Sequence, residues 1–361
     1  MTGKADVLAR FLGEVEGDPL FLPDLTLWYE WRHSWGTLPE RWQGLSLPQV
    51  ARALGAPVWS VARLWRVETP GVGVTVTERE GERVVRSETS AGTLVARWTL
   101  GPDEDWWQTE YPVKTAGDLP AAVELAEARS YVVDAGELPR LAADVGDDGV
   151  LALELPRRPY ADLLHEFLGW SEGLTLLREP AVREILAVLE TKLQGLVEEA
   201  APLQGDAVLS PDNLDGQFIS PRAFEEHLAD SYRRTAEVFH ARGRPIVVHV
   251  GGPIRRILAG LAESGVDVVE GVAGPPQGDV SLAEAREIAG PGLTLWGGIP
   301  QDLLLDQHDR GAFEAAVAQA AREAAGDRRT ILGVADRVPV DADPGRLEAI
   351  PALAGKNRGE P

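Results

Sequence analysis

From Asp206 onward, short apolar runs bounded by glycine or proline alternate with amphipathic stretches of helical period. The apolar runs predict strands at 207–209, 245–250, 266–270, 293–296 and 330–332, and the spacing between them predicts helices at 221–241, 254–264, 282–289 and 312–325. Ser220 ahead of Pro221 supplies a capping hydroxyl before a proline at the first helical position, and Arg242-Gly243 supplies a terminator. Strands apolar at nearly every position are buried on both faces, which points to parallel pairing between layers of helix. The predicted class is therefore α/β, as a doubly wound sheet or a (β/α)8 TIM barrel.

The strand tips favour the barrel. They read Ser210-Pro211-Asp212-Asn213, His249-Val250-Gly251-Gly252, Glu270-Gly271, Trp296-Gly297-Gly298 and Gly333-Val334-Ala335-Asp336. A barrel gathers its chemistry at the C-terminal ends of all its strands, whereas an open sheet uses mainly its switch point. Further upstream, helical patterns cover 119–129, 160–168 and 180–200, the last with Val182, Ile185, Leu186, Leu189, Leu193 and Leu196 on one stripe, and 149–155 reads as a strand. Up to about residue 115 the chain is tryptophan-rich, leaving only Trp170 and Trp296 beyond. There Val72, Val74 and Val76 alternate with polar neighbours, Glu80-Gly81 supplies a turn, and extended patterns resume at Val84-Val85 and 93–98, which predicts a β-meander. The indoles are either a ligand floor or the core of a small subdomain. The expected organisation is an N-terminal elaboration over 1–115 packed on a barrel over 116–361, together one structural domain.

Composition removes several chemistries. The chain has no Cys, so disulfides, thiolate nucleophiles, iron–sulfur clusters and sulfur-ligated zinc are excluded. A formal charge of -22 without a basic run argues against nucleic acid and acidic membranes as partners. The segment 1–16 lacks a basic start followed by an apolar run and cleavage site, and no segment has the roughly 20 apolar residues that span a bilayer, so the expected location is cytoplasmic. Phosphate-binding loops, dinucleotide fingerprints, the esterase elbow and the His-Glu-x-x-His motif are all missing.

His249, at a strand end and directly before a glycine pair that lets a ligand approach the backbone, is the leading candidate. Glu270 ends the next strand and faces the same rim. Asp212 and Asn213 follow Leu209, where short polar side chains also build turns, and Asp336 is as well suited to pairing with an arginine as to facing a pocket. If Asp212, His249, Glu270 and Asp336 converge, they offer acid/base groups with mutually perturbed pKa values, or a carboxylate and imidazole site for a divalent metal, with His249, Glu270 and Asp336 as its ligands.

The order of these tips resembles the uroporphyrinogen decarboxylase (URO-D) superfamily, which includes corrinoid-linked methyltransferases. The resemblance runs from Ser210-Pro211-Asp212-Asn213-Leu214-Asp215-Gly216 through His249-Val250-Gly251-Gly252 and Gly278-Asp279-Val280-Ser281-Leu282 to Trp296-Gly297-Gly298-Ile299-Pro300 and Ile331-Leu332-Gly333-Val334-Ala335-Asp336. It implies a (β/α)8 barrel with its site at the strand C-termini. The thiol-methylating branch holds zinc with His-x-Cys and a later Cys, whereas this chain reads His249-Val250-Gly251. The heme-pathway decarboxylase carries Asn-Leu-Gly-His-Gly near its end, where this chain reads Ile331-Leu332-Gly333-Val334-Ala335, and the only loose counterpart of its early arginine run is Trp31-Arg32-His33. The expectation is decarboxylase-like, carbon–carbon lyase chemistry on a small carboxylated substrate other than uroporphyrinogen, with no organic cofactor required. His249, Glu270 and Asp212 are its catalytic groups, and Arg32, Asn213, Gly251, Gly252, Trp296 and Asp336 its substrate contacts. Two alternatives stand beside it: a methyltransferase component served by a corrinoid on a partner protein, and a non-catalytic ligand-binding barrel. Members are often dimers, which leaves a homodimer open.

Overall fold

The computed structural model describes residues 3–15, 17, 19–101 and 106–356; Met1 and Glu16, the ends of the segment read for a leader, lie outside them. In chain order the strands are β1 (Leu20–Phe21), β2 (Val58–Arg63), β3 (Trp65–Glu68), β4 (Gly73–Arg79), β5 (Glu82–Glu88), β6 (Thr93–Leu100) and β7 (Trp106–Glu110), then β8 (Ser130–Val133), β9 (Gly149–Glu154), β10 (Ala207–Leu214), β11 (Ile246–Val250), β12 (Val268–Val272), β13 (Thr294–Pro300) and β14 (Thr330–Ala335). The chain divides into two compact units, one of Met1–Arg63, Gly136–Leu155 and Leu203–Pro361, the other of Leu64–Ala135 and Pro156–Pro202.

The first unit is built on an eight-stranded parallel sheet in the order β1-β14-β13-β12-β11-β10-β9-β2, curled as in a (β/α)8 barrel. Its strands are apolar because both faces are covered: every residue of β12 and β14 is buried. Side chains alternate between inside and outside. The inward set includes Trp59, Val150, Ala207, Val247, Val268, Trp296 and Ile331, which share one apolar cluster with Val7 and Phe11. Trp59 on β2 meets Trp296 on β13 edge to face, with ring centroids 4.9 Å apart, although four strands lie between theirs in the sheet order. Only a curled sheet brings those rings together. Helix α1 (Lys4–Leu12) caps the N-terminal end of the ring, since Thr294, which begins β13, donates its hydroxyl to the Phe11 carbonyl at 2.8 Å. The C-terminal end is left for chemistry.

The second unit carries an antiparallel sheet in which β4, β5, β6 and β7 pair in chain order, and a separate antiparallel pair of β3 and β8. Its core joins Leu94 and Val113 to Leu119 and Ala122 of helix Leu119–Ala128, Phe167, and Ile185 and Leu189 of helix Pro180–Ala200.

The structure departs from the expected division at residue 115. β1 and β2 belong to the eight-stranded sheet, pairing with β14 and β9, so the N-terminal segment is not one appended body. The tryptophans divide accordingly. Trp28, Trp42 and Trp59 are buried within the first unit, while Trp65, Trp98, Trp106 and Trp107 belong to the second. Helices Leu282–Ala289 and Pro180–Ala200 run as their periodicity predicts. The predicted helix 221–241 is two, Pro221–His227 and Ala229–His240, meeting at Leu228, whose ψ of -43° is helical but whose φ of -120° is not. The strand expected at 207–209 continues through Leu214, because the chain bulges after Ser210 and re-pairs with β11 at Leu214 and Val250.

Candidate active site

His249 and Glu270 are paired across β11 and β12, one residue directly beside the other. They follow Val247 and Val268 by two positions, so alternation turns both into the ring. Nδ1 of His249 lies 2.5 Å from Glu270 Oε2, and Nε2 lies 3.3 Å from Asp336 Oδ1 at the end of β14. Glu270 is 6% exposed and the His249 side chain 19%, so the imidazole sits at the boundary between core and solvent. Asp336 reaches it from a left-handed backbone of φ 67°, and Asn213, at the tip of β10, adopts φ 51°. Asp and Asn tolerate that region better than other residues with a Cβ, but it still carries a cost.

Electrostatics tie the three groups together. Burial by itself would push His249 down; the Glu270 charge and the hydrogen bonds to Asp336 and Glu270 outweigh it and lift the imidazole to about 10. Burial lifts Glu270 to about 7 against the attraction of His249, with Asp24 and Asp336 adding repulsion. Burial also opposes the charge on Asp336, but the His249 hydrogen bond and charge, Arg337 and a hydrogen bond from Gln301 hold that carboxyl below its ordinary value. His249 and Glu270 therefore act as a coupled pair that keeps at least one proton through neutral pH.

The remaining expected site residues fare differently. Asp212 is fully buried and accepts hydrogen bonds from Ser210 (2.7 Å) and from Tyr232 (2.5 Å) on helix Ala229–His240. Ala207 and Leu209 belong to the inward set, whereas the Asp212 carboxylate is held by Tyr232 of the helix layer, which corrects its assignment as an acid/base group. Asn213 does reach the strand tips, and a Cβ on Gly251 would lie 1.5 Å from its Oδ1; Gly252 is likewise crowded by Asp215. The glycine pair thus makes room for neighbouring side chains of this chain. Trp296 is not a substrate contact: it is 1% exposed, and its indole N–H is held by the Leu22 carbonyl at 2.8 Å. Arg32 is also corrected. Its guanidinium donates to the carbonyls of Val340 and Ala342, both at 3.1 Å, and lies over the Trp28 ring, fastening helix Thr26–Ser34 to the segment after β14. Asp24 and Gln301 were not singled out from the sequence. Asp24 follows a strand of two residues, too short for any periodicity to register.

Residues 174–355, half of the chain, match the uroporphyrinogen decarboxylase (URO-D) family. The chain belongs to that family. No curated protein sequence matches it. Among solved structures, a methyltransferase from Methanosarcina mazei is similar over 98% of each chain, at 14% identity and a TM-score of 0.62. A B12-independent methionine synthase from Shewanella sp. W3-18-1 is similar over 86% of this chain and 85% of its own, at 11% identity and a TM-score of 0.47.

This URO-D family member has no Cys, so it has no ligands for a zinc-thiolate centre. The alternative metal site at His249, Glu270 and Asp336 does not fit either. Both imidazole nitrogens face carboxylates of this chain, one on each side of the ring, and no group of three potential ligands in metal-binding geometry occurs among the described residues. No helix among the described residues is long and apolar enough to cross a membrane.

The pair has a measurable consequence for stability. A raised His249 pKa stabilises the fold fully below the ordinary value of 6.5, and that contribution is lost as pH rises through about 10. The raised Glu270 pKa acts in the same direction between 4.5 and about 7. Denaturant titrations at about pH 6 and pH 9.5 are expected to show the native protein losing stability faster than His249→Gln/Glu270→Gln, which lacks the pair. Parallel pH profiles would contradict the assignment.

Proposed function

We propose that this chain is an enzyme that releases CO2 from a small organic carboxylate at the mouth of the barrel, with His249 delivering the proton. The observation that carries the reading is the imidazole held between Glu270 and Asp336. Loss of CO2 breaks a carbon–carbon bond and leaves its electron pair on the substrate carbon, so the step needs an acid that is charged and positioned beforehand. The Nδ1 proton is committed to Glu270 at 2.5 Å, whereas Nε2 is held by the longer 3.3 Å contact, so Nε2 is the donor. Water then returns the proton to His249. A site with two carboxylates beside one imidazolium repels an anionic substrate, and Arg337, exposed and close enough to lower the Asp336 pKa, is the cation assigned to the substrate carboxylate.

The test is a panel of small aliphatic and aromatic carboxylates, incubated with the protein in D2O and followed by NMR. The expected result is release of CO2 from at least one member, with deuterium at the carbon that lost it. Methyl transfer from a methoxylated aromatic to an added cobalamin protein, without CO2 release, would replace this reading. Ligand-induced thermal shifts without any turnover would reduce the barrel to a binding protein.

A further inference from the structure

The second compact unit contains a cavity of about 170 Å³ lined by its own residues, none of which belongs to the candidate active site. One wall is the inner face of the antiparallel sheet, where Leu94, Ala96 and Trp98 of β6 alternate with residues that point outward. Facing it are Glu166 and Phe167, which are neighbours in sequence and yet both line the same space. Both lie in Leu163–Leu168, a π-helical turn, wider than an α-helix. Such turns are rare and concentrate at functional sites. Gly169 ends the turn with its N–H on the Leu164 carbonyl at 3.0 Å and a φ of 75°; a Cβ there would lie 2.5 Å from the Tyr111 ring. The local sequence is therefore arranged to hold this conformation.

The polar end of the cavity is charged but balanced. Glu166 pairs with Arg157 at 2.9 Å, and Arg129, which lines the cavity, pairs with Asp162 and lies over the Tyr131 ring. A ligand bearing its own charge would enter a mostly apolar space as an unpaired ion, which is costly. A neutral hydrogen-bond donor needs only the spare acceptor capacity of the Glu166 carboxylate. An apolar cavity of about 150 Å³ already accepts benzene, so this one has room for a single ring with one substituent. Trp98 and Phe167 supply aromatic surface for it.

We infer that this cavity is a binding site for a compact neutral aromatic compound carrying one hydroxyl, the phenol class, with Glu166 accepting from the hydroxyl. Fluorine NMR of 4-fluorophenol with the full-length protein is expected to give a Kd of about 0.1–1 mM, within the affinity open to a ligand of so few atoms. 4-Fluorobenzoate and 4-fluorobenzylamine are expected to bind at least about tenfold more weakly, because each carries a net charge. Ala96→Leu fills the cavity and is expected to weaken 4-fluorophenol by about tenfold or more. Glu166→Gln keeps the shape but removes the charged acceptor, with an expected loss of about five- to tenfold and no dependence on the outcome at Ala96. Absence of binding at about 10 mM, or affinity unchanged in Glu166→Gln, overturns the inference.

Discussion

His249→Gln is expected to lower the rate of CO2 release by about 10²–10⁴-fold, the usual contribution of a positioned proton donor. Glutamine can still hydrogen-bond to Glu270 and Asp336, but it carries no transferable proton. The substitution also removes the one cation from between two carboxylates, of which Glu270 is 6% exposed, so stability at neutral pH is expected to fall as well. The two effects separate in a second variant. His249→Gln/Glu270→Gln leaves a single carboxylate facing neutral amides, and it is expected to recover most of the stability while recovering none of the turnover. Full activity in either variant, measured on the substrate found in the panel, would remove His249 from the chemistry and leave the triad a structural ion cluster.

Trp296→Ala is expected to destabilise the first unit by about 3–5 kcal/mol through loss of transfer energy and the cavity left behind. The indole packs against Trp59 with centroids 4.9 Å apart and against Phe11 at 6.0 Å. It also satisfies the Leu22 carbonyl, and leaving a buried acceptor unpaired costs about 1–3 kcal/mol more. Trp59 lies on β2, Trp296 on β13 and Leu22 just after β1, so one side chain ties together strands that the chain order keeps far apart. Trp296→Phe retains much of the apolar area and loses the hydrogen bond, and is expected to cost about 1–3 kcal/mol. Denaturant unfolding followed by far-UV circular dichroism separates the variants. A cost near zero for Trp296→Ala would mean that the tryptophan faces solvent in the mouth, where the sequence alone had suggested a substrate contact.

The C-terminal half was legible because its strands are buried on both faces and its helices on one, so the two periods, and the glycines and prolines between them, are written into consecutive residues. That is why β11 and helix Leu282–Ala289 were found from the pattern. The N-terminal half was not. β1 is two residues long, and β2 has the alternation of neither an exposed strand nor a helix, so their membership in the ring depends on β14 and β9, more than 80 residues away in each case. The site divides in the same way. His249 and Glu270 were recognisable as the polar ends of adjacent apolar strands, and the alternation that turns Val247 inward turns His249 with it.

Sequence by itself determined the class of fold, the family, the absence of thiol chemistry and the two residues at the centre of the candidate site, because each of these follows from local pattern or from composition. Tertiary structure alone decided that Asp336 joins them while Asp212 turns to Tyr232, that Arg32 fastens backbone carbonyls, and that Trp296 is core. Those outcomes depend on which face of a strand a side chain leaves from and on what the curled sheet brings opposite it. Neither quantity is a property of neighbouring residues along the chain.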